Sequence, residues 1–555
     1  MAYDHKITFV LRCSEQKLEV VLRVLIFKKI TRKLIMIYLT QAVHRNAQIR
    51  GNKVATIQGD RSHTWREFED RVARFAGGLK ELGVSDGDRI AILSLNSDRY
   101  FEYYFAVPWA GACVVPLNIR WSPAENAYSL KDAGVKVLVV DDAFAKMLPA
   151  LRAHGVELDH VIFIGDGELP EGAVSYEQMI DNNQPAEDSY RKNDDLAGIF
   201  YTGGTTGFPK GVMLTHQNLW TSAMASVGEF NISDDNRILH SAPMFHLADG
   251  AMTQSGIIAG AAHCFIPMFT PEATIQAIQN YQVTNALLVP VMIQMTINHP
   301  DIKSADLSSL QTITYGASPI AESVLTQAMA TFPNALFFQG YGQTELAPLA
   351  TLLKPEYHVT EGPNAGKLKS AGRAINCVEI KIVDKEGNKL PSGSVGEIAV
   401  SGPNAMVGYW NKPEETAVSL RDGWIHTGDA GYMDEEGFVF LVDRVKDMIV
   451  SGGENVYSAE VENAIMNHPA IDQAVVIGIP SDEWGEQVHA EVILKEGQSA
   501  SPEEIIMKTK EYIANYKCPR SVSFRSEPFP LSGAGKILKR EIRKPYWDGK
   551  ERQIN

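Results

Sequence analysis

Tyr201-Thr-Gly-Gly-Thr-Thr-Gly-Phe-Pro-Lys-Gly211 follows an apolar run and concentrates small and hydroxylated residues in one loop. Gly203, Gly204 and Gly207 can adopt positive φ and let a ligand approach the backbone closely. Successive amide N–H groups in such a loop form an anion-binding concavity. Thr202, Thr205 and Thr206 add hydroxyl donors, and Lys210 adds a positive charge. Together these are the parts of a polyphosphate cradle. The loop differs from a GxxxxGK[ST] P-loop, because Lys210 follows Pro209 and precedes Gly211. A shorter Gly/Thr stretch would read as an ordinary turn; the closing Pro-Lys-Gly is more specific.

Further stretches with chemical potential follow in order. They are Ala242-Pro-Met-Phe-His246, Tyr315-Gly-Ala-Ser-Pro319, Gly340-Tyr-Gly-Gln-Thr-Glu345 and Trp424-Ile-His-Thr-Gly-Asp429. Then come Asp443-Arg-Val-Lys-Asp447, Ser451-Gly-Gly-Glu-Asn455 and Leu531-Ser-Gly-Ala-Gly-Lys536. Each alone has a bland counterpart as a turn, a structural histidine or a solvated charge. In this order they resemble the motifs of the adenylate-forming superfamily, which includes acyl-CoA synthetases, adenylation domains of peptide synthetases and firefly luciferases. The resemblance runs from Met36 to the C-terminus. Ser458 and Ser401 depart from it, at positions where proline and arginine are common.

The resemblance implies a role for each motif. Thr202, Gly203, Gly204, Thr205, Thr206, Gly207 and Lys210 would hold the ATP phosphates. Gly316, Ala317 and Ser318 would border adenine, with Gly340, Tyr341, Gly342, Gln343 and Thr344 beside it. The Tyr341 ring would stack on the base, and Thr344 would contact the α-phosphate. Asp429 and Arg444 would hold the ribose. Glu345, with Thr202, would bind Mg²⁺, as a hard carboxylate suits that ion. His246, Leu247, Gly316 and Leu346 would border the acyl pocket. Gly452, Gly453 and Glu454 would line the CoA path. Lys446 would be the hinge, and Lys536 the catalytic lysine alongside Thr344, Glu345 and His246.

The implied reaction joins a carboxylate to the α-phosphorus of ATP, giving acyl-AMP and pyrophosphate. CoA then takes the acyl group and AMP leaves. Both first reactants are anions, so cationic groups and orientation are what the site must supply. A protein nucleophile is not required. The expected substrate is a medium- to long-chain fatty acid. Alternatives are an aryl or short thioether acid, an amino acid, or a non-catalytic acyl-nucleotide sensor. Leu247 disfavours the amino-acid route, because those members usually place an aspartate there.

The elements that must position these residues read as strands alternating with helices. Thr64 and Glu67 form a capping-box spacing ahead of Trp65, Phe68, Val72, Phe75, Leu79 and Leu82, which recur at helical intervals. Apolar runs at 89–95, 112–115, 137–140, 161–164 and 196–201 read as buried strands. From Ala371 the texture becomes β-rich, and after Lys446 it becomes a compact α+β unit. The expectation is an α/β fold. Two α/β subdomains and a small β-rich one form a large N-terminal domain (36–443), and a small mobile α+β domain (444–555) follows.

Composition bounds the rest. The chain has 555 residues and a formal net charge of −15, which fits no general nucleic-acid binder. The five cysteines are dispersed and form no CxxC pair, as expected in a reducing, cytoplasmic setting. No apolar run is long enough to span a bilayer. Residues 1–35 are basic and apolar in alternation and have no counterpart in the family pattern. They read as a start placed upstream of Met36, a loosely docked extension, or an amphipathic anchor at the inner membrane face. Peripheral membrane contact and a homodimer both stay open. The expected partners are a small carboxylic acid, ATP and CoA.

Overall fold

The computed structural model describes residues 37–203, 209–317, 320, 322–444, 447–451, 454–481, 483–531 and 537–548. Four sheets organise it. In the first, of eight strands, Leu196–Thr202, Cys113–Pro116, Arg89–Leu93, Val137–Val140, His160–Phe163 and Val174–Ser175 run parallel in that order. Lys210–Thr215 and then Gly408–Tyr409 extend one edge antiparallel. The second sheet has nine strands. Its parallel centre runs Leu336–Gly342, Thr312–Gly316, Asn285–Leu287, Arg237–His240, Ala262–Phe265 and Val54–Gln58. Antiparallel strands close both edges.

The runs read as buried strands are strands, shifted by a residue or two at some ends. They are parallel because the connecting helices cover both faces, so near-continuous apolar runs are tolerated. The helix Trp65–Glu81 carries the expected capping box. The Thr64 side chain accepts from the Glu67 backbone N–H, and the Glu67 carboxylate accepts from Thr64. Trp65, Phe68, Val72, Phe75 and Leu79 are fully buried along one stripe. The next helix, Asp98–Trp109, is buried on every side, as a helix enclosed within a large core must be. Its internal charges are paired: Arg71 grips Glu102 at 2.6 Å and Arg61 grips Asp98 at 2.9 Å.

The third sheet is the β-rich unit. Glu379–Val383, Gly396–Ser401, Trp424–Met433 and Val439–Arg444 pair antiparallel, with Leu420–Arg421 at an edge. The fourth comprises Ile449–Ser451, Glu454–Val456, Ile471–Ser481 and Gly485–Leu494, joined by the parallel strand Ser521–Phe524. The strand Ile471–Ser481 is longer than its apolar core. Its antiparallel partner carries it through Pro480 and Ser481.

Within this last unit the basic C-terminal helix Lys539–Trp547 is tied to its own surroundings. Lys539 pairs with Glu462 at 2.7 Å and donates to the Ser458 hydroxyl. Ser458, where proline is common, is fully buried and supplies that acceptor. Among the described residues no helix is long and apolar enough to cross a membrane. The described cysteines, Cys113, Cys264, Cys377 and Cys518, are free thiols.

Candidate active site

Among the described candidates, Thr202, Gly316 and Gly340 to Gly342 lie at the carboxyl ends of strands of the two parallel sheets, where open α/β sheets place ligands. Thr202 ends one strand and Lys210 begins the next, and the two are register partners across the hairpin. The phosphate loop is therefore closed at its base by a β-ladder. Gly203 is exposed, and a Cβ there would meet nothing within 4 Å. Gly203 does not have positive φ. The expectation of a left-handed residue fails at this position; its missing side chain leaves open space instead. Gly204, Thr205, Thr206 and Gly207 lie outside the described residues.

On the second sheet Gly316 and Gly340 face each other in register at the ends of adjacent strands. A Cβ on Gly316 would lie 2.1 Å from the Gly340 carbonyl oxygen, and one on Gly342 would lie 1.9 Å from that of Pro348. Both positions exclude any side chain. Ala317 follows with φ 64°, turning the chain away from the sheet. Ser318 lies outside the described residues.

The next motif meets its distant partner directly. The Tyr341 hydroxyl donates to Asp429 Oδ2 at 2.8 Å. Asp429 is the register partner of Arg444, so the paired strands bring the two ribose candidates side by side. Gln343 precedes a short 3-10 turn, Thr344–Leu346, that turns Glu345 inward. Glu345 is 9 % exposed, and its Oε1 accepts from the Tyr409 hydroxyl at 2.6 Å. Its Oε2 has no hydrogen-bond partner among the described residues. No cluster of three or more His, Cys, Asp or Glu side chains is found among them either. This donor set fits Mg²⁺, which keeps several waters and is usually held by one or two carboxylates plus substrate phosphates. Glu345 Oε2 would hold it, with the Thr202 hydroxyl as a second candidate.

Tyr409 is a site neighbour that none of the motifs contains. Its ring lies under Lys210 Nζ, 4.3 Å from the centroid, while its hydroxyl holds Glu345. An aromatic ring beside a glycine looks like any strand residue in sequence, so no signal marked it. The backbone N–H of Trp410 bonds to Gly211 O at 2.7 Å, and that of Met406 bonds to Glu345 O at 2.8 Å. Asn404 Nδ2 donates to Leu346 O and Leu349 O. The segment 404–410 thus laces the phosphate hairpin to the turn that carries Glu345.

On the acyl side His246 is the N-cap of the helix Leu247–Ala259, its Nδ1 accepting from the Ala248 N–H at 3.1 Å. That bond leaves Nε2 as the protonated ring nitrogen of a neutral imidazole. Leu247 and Leu346 are both buried in the same apolar cluster, behind the surface. Asp249 faces the protein interior. It is fully buried and meets His240 Nδ1 at 2.8 Å, and His240 Nε2 meets His263 Nδ1 at 2.8 Å. Burial, then the neighbouring His240, push His263 well below the usual imidazole range, which keeps its ring neutral.

Lys446, Gly452, Gly453 and Lys536 lie outside the described residues. Glu454 begins a strand paired with Ser451.

With this geometry in view, comparison with known proteins is direct. The AMP-binding enzyme family matches residues 43–410, and the AMP-binding enzyme C-terminal domain matches residues 460–536. A feruloyl-CoA synthase of Amycolatopsis sp is 38 % identical over 503 residues, covering 90 % of this chain and 98 % of that one. A medium/long-chain-fatty-acid–CoA ligase of Mycobacterium tuberculosis is 34 % identical over 516 residues, covering 91 % and 89 %. The crystal structure of ATP-bound MatB from Rhodopseudomonas palustris superposes with a TM-score of 0.83 at 27 % identity, covering 93 % of this chain and 100 % of that one. The chain belongs to the AMP-binding enzyme family, within the adenylate-forming superfamily.

Proposed function

We propose that the protein is an ATP-dependent carboxylic acid–CoA ligase that forms an acyl-AMP and then a thioester. The observation that carries this reading is the continuity of the nucleotide side. Asp429 is bonded to Tyr341, the same strand leads to Glu345, Glu345 to Tyr409, and Tyr409 to Lys210 at the base of the phosphate loop. Nucleoside and phosphate functions converge on one strand end.

In this reading Tyr341 offers a flat face to adenine, and Asp429 accepts from the ribose hydroxyls, with Arg444 beside it. Mg²⁺, when bound, neutralises phosphate oxygens. The loop 202–210 retains the leaving pyrophosphate through its amides and Lys210. Lys536 bridges the carboxylate and the α-phosphate as charge builds. The domain from residue 444 then turns about Lys446 and brings Gly452, Gly453 and Glu454 to the thiol path. His246 borders both pockets, its ring fixed by the Ala248 N–H.

The acid is apolar. Asp249 is spent on His240, and Ala248, Gly250 and Ala251 are small. A medium- to long-chain fatty acid fits this wall, and resemblance to the mycobacterial ligase supports it. A hydroxycinnamic acid is the second reading, favoured by the 38 % identity to a feruloyl-CoA synthase. The test is a panel of fatty, aryl, thioether and amino acids, read by pyrophosphate release with and without CoA. A preferred apolar acid with CoA-dependent turnover is expected. ATP binding without turnover of any acid overturns the ligase in favour of a sensor.

A further inference from the structure

Tyr409 touches both charged groups that flank the proposed phosphate site; its backbone pairs with the strand that carries Lys210, and the nearby Met406 N–H bonds to Glu345 O. Its hydroxyl is 2.6 Å from Glu345 Oε1 and its ring centroid 4.3 Å from Lys210 Nζ. The residue is 5 % exposed. It pairs with Val212 across an antiparallel ladder, and its N–H is held by Thr416 Oγ1 at 2.9 Å. Gly408 before it has φ 147°, and a Cβ there would meet the Thr416 side chain at 2.9 Å. The ring therefore has one place to sit.

A carboxylate can turn about its last torsion and offer either oxygen to a cation. A phenol that donates to one oxygen fixes the plane and leaves the other for the metal. Such outer hydrogen bonds orient and tune a metal ligand. The face of the same ring attracts an ammonium through its quadrupole. One side chain thus acts on two charges of opposite sign, by two separable parts.

We infer that Tyr409 is a positioning residue, whose hydroxyl sets Glu345 for Mg²⁺ and whose ring sets Lys210 for the terminal phosphates. The inference rests on the proposed nucleotide site. Tyrosine as a mere core filler would instead stabilise the fold without distinguishing metal-bound from metal-free nucleotide.

The test uses the full chain and equilibrium calorimetry with ATP plus Mg²⁺, ATP plus EDTA, and pyrophosphate plus EDTA. Tyr409→Phe keeps the ring and removes the hydroxyl. Its dissociation constant for ATP with Mg²⁺ should rise about 10-fold, the effect of losing an outer hydrogen bond to a metal ligand. Its metal-free constants should change less than about 2-fold, because the ring still faces Lys210. Tyr409→Leu removes both parts and should also weaken metal-free pyrophosphate by about 2- to 5-fold. In a Glu345→Gln background, Tyr409→Phe should add no further loss, since the two groups act as a unit. Equal weakening with and without Mg²⁺, or no change in Tyr409→Phe, overturns the inference and leaves the ligase reading standing. Failure of the unsubstituted protein to bind ATP overturns both.

Discussion

The candidate nucleotide side and the candidate acyl side are built differently. The nucleotide side is a series of polar contacts between residues far apart in sequence. Tyr341 meets Asp429, and Glu345 meets Tyr409, across separations of 88 and 64 residues. Its glycines are required sterically, as at Gly316 and Gly342, where backbone oxygens fill the side-chain space. The residues of the candidate acyl side are largely buried. Asp249 is consumed by His240, and Leu247 and Leu346 are buried in the core. The His246 ring is held by a helix N–H. A reaction common to many acids needs a fixed phosphate geometry, whereas the acid-binding wall needs volume and few polar commitments.

The sharpest break is expected at Lys536, on the chemistry shared by every substrate. Lys536→Ala should slow acyl-AMP formation by about 10²–10³-fold, the scale of losing a preorganised charge stabiliser. Transfer to CoA from supplied acyl-AMP should be largely spared. Parallel measurement of both half-reactions checks this, and equal losses would remove the two-pose reading.

Next in size is Gly316→Ala. Its Cβ would overlap the Gly340 carbonyl at 2.1 Å, so the two strand ends must part. Overpacking of this kind costs about 1–3 kcal/mol. Urea unfolding should show the loss, and ATP affinity should fall with it. The same change at Gly203, where a Cβ meets nothing within 4 Å, should leave stability unchanged.

Asp249→Asn probes the other side. The amide keeps one acceptor oxygen but puts an NH2 group where the buried site offers it no acceptor among the described residues, which should lower stability by about 1–3 kcal/mol with little effect on which acid is preferred. A changed acid ranking at unchanged stability would put Asp249 in the pocket wall and erase the contrast between the two sides.

The smallest effect lies outside both. His44 bonds to Asp188 and Glu69, and those side-chain hydrogen bonds raise its pKa from 6.5 to about 9. A raised pKa means the folded state holds the proton more tightly. The contribution is full below about pH 6.5 and is lost as pH rises through 9. His44→Gln should flatten the stability profile in that window, read as Tm against pH.

Much of the nucleotide side was legible because its motifs are contiguous. Tyr341 lies at a strand end and Thr344 and Glu345 in the turn just after it, and Thr202 and Lys210 lie within one hairpin. The capping box at Thr64 and Glu67 was legible for the same reason, since both partners lie within one helical turn. Tyr409 was not, because its two partners come from other segments. Neither was the His240–Asp249 contact, which depends on a helix folding back over the strand that precedes it. Gly203 shows the converse: its place in a loop after the strand was legible, but its conformation was not.

Sequence by itself determined the alternation of strands and helices, the order of the motifs and the chemical character of the candidate nucleotide groups. Those depend on side-chain type and short-range spacing, which one chain records directly. Only the tertiary structure decided which of those groups touch. It placed the Tyr409 ring between Lys210 and Glu345, and it turned Asp249 inward. The reason is physical: a contact across dozens of residues is set by how sheets and helices pack, and packing is a property of the whole core.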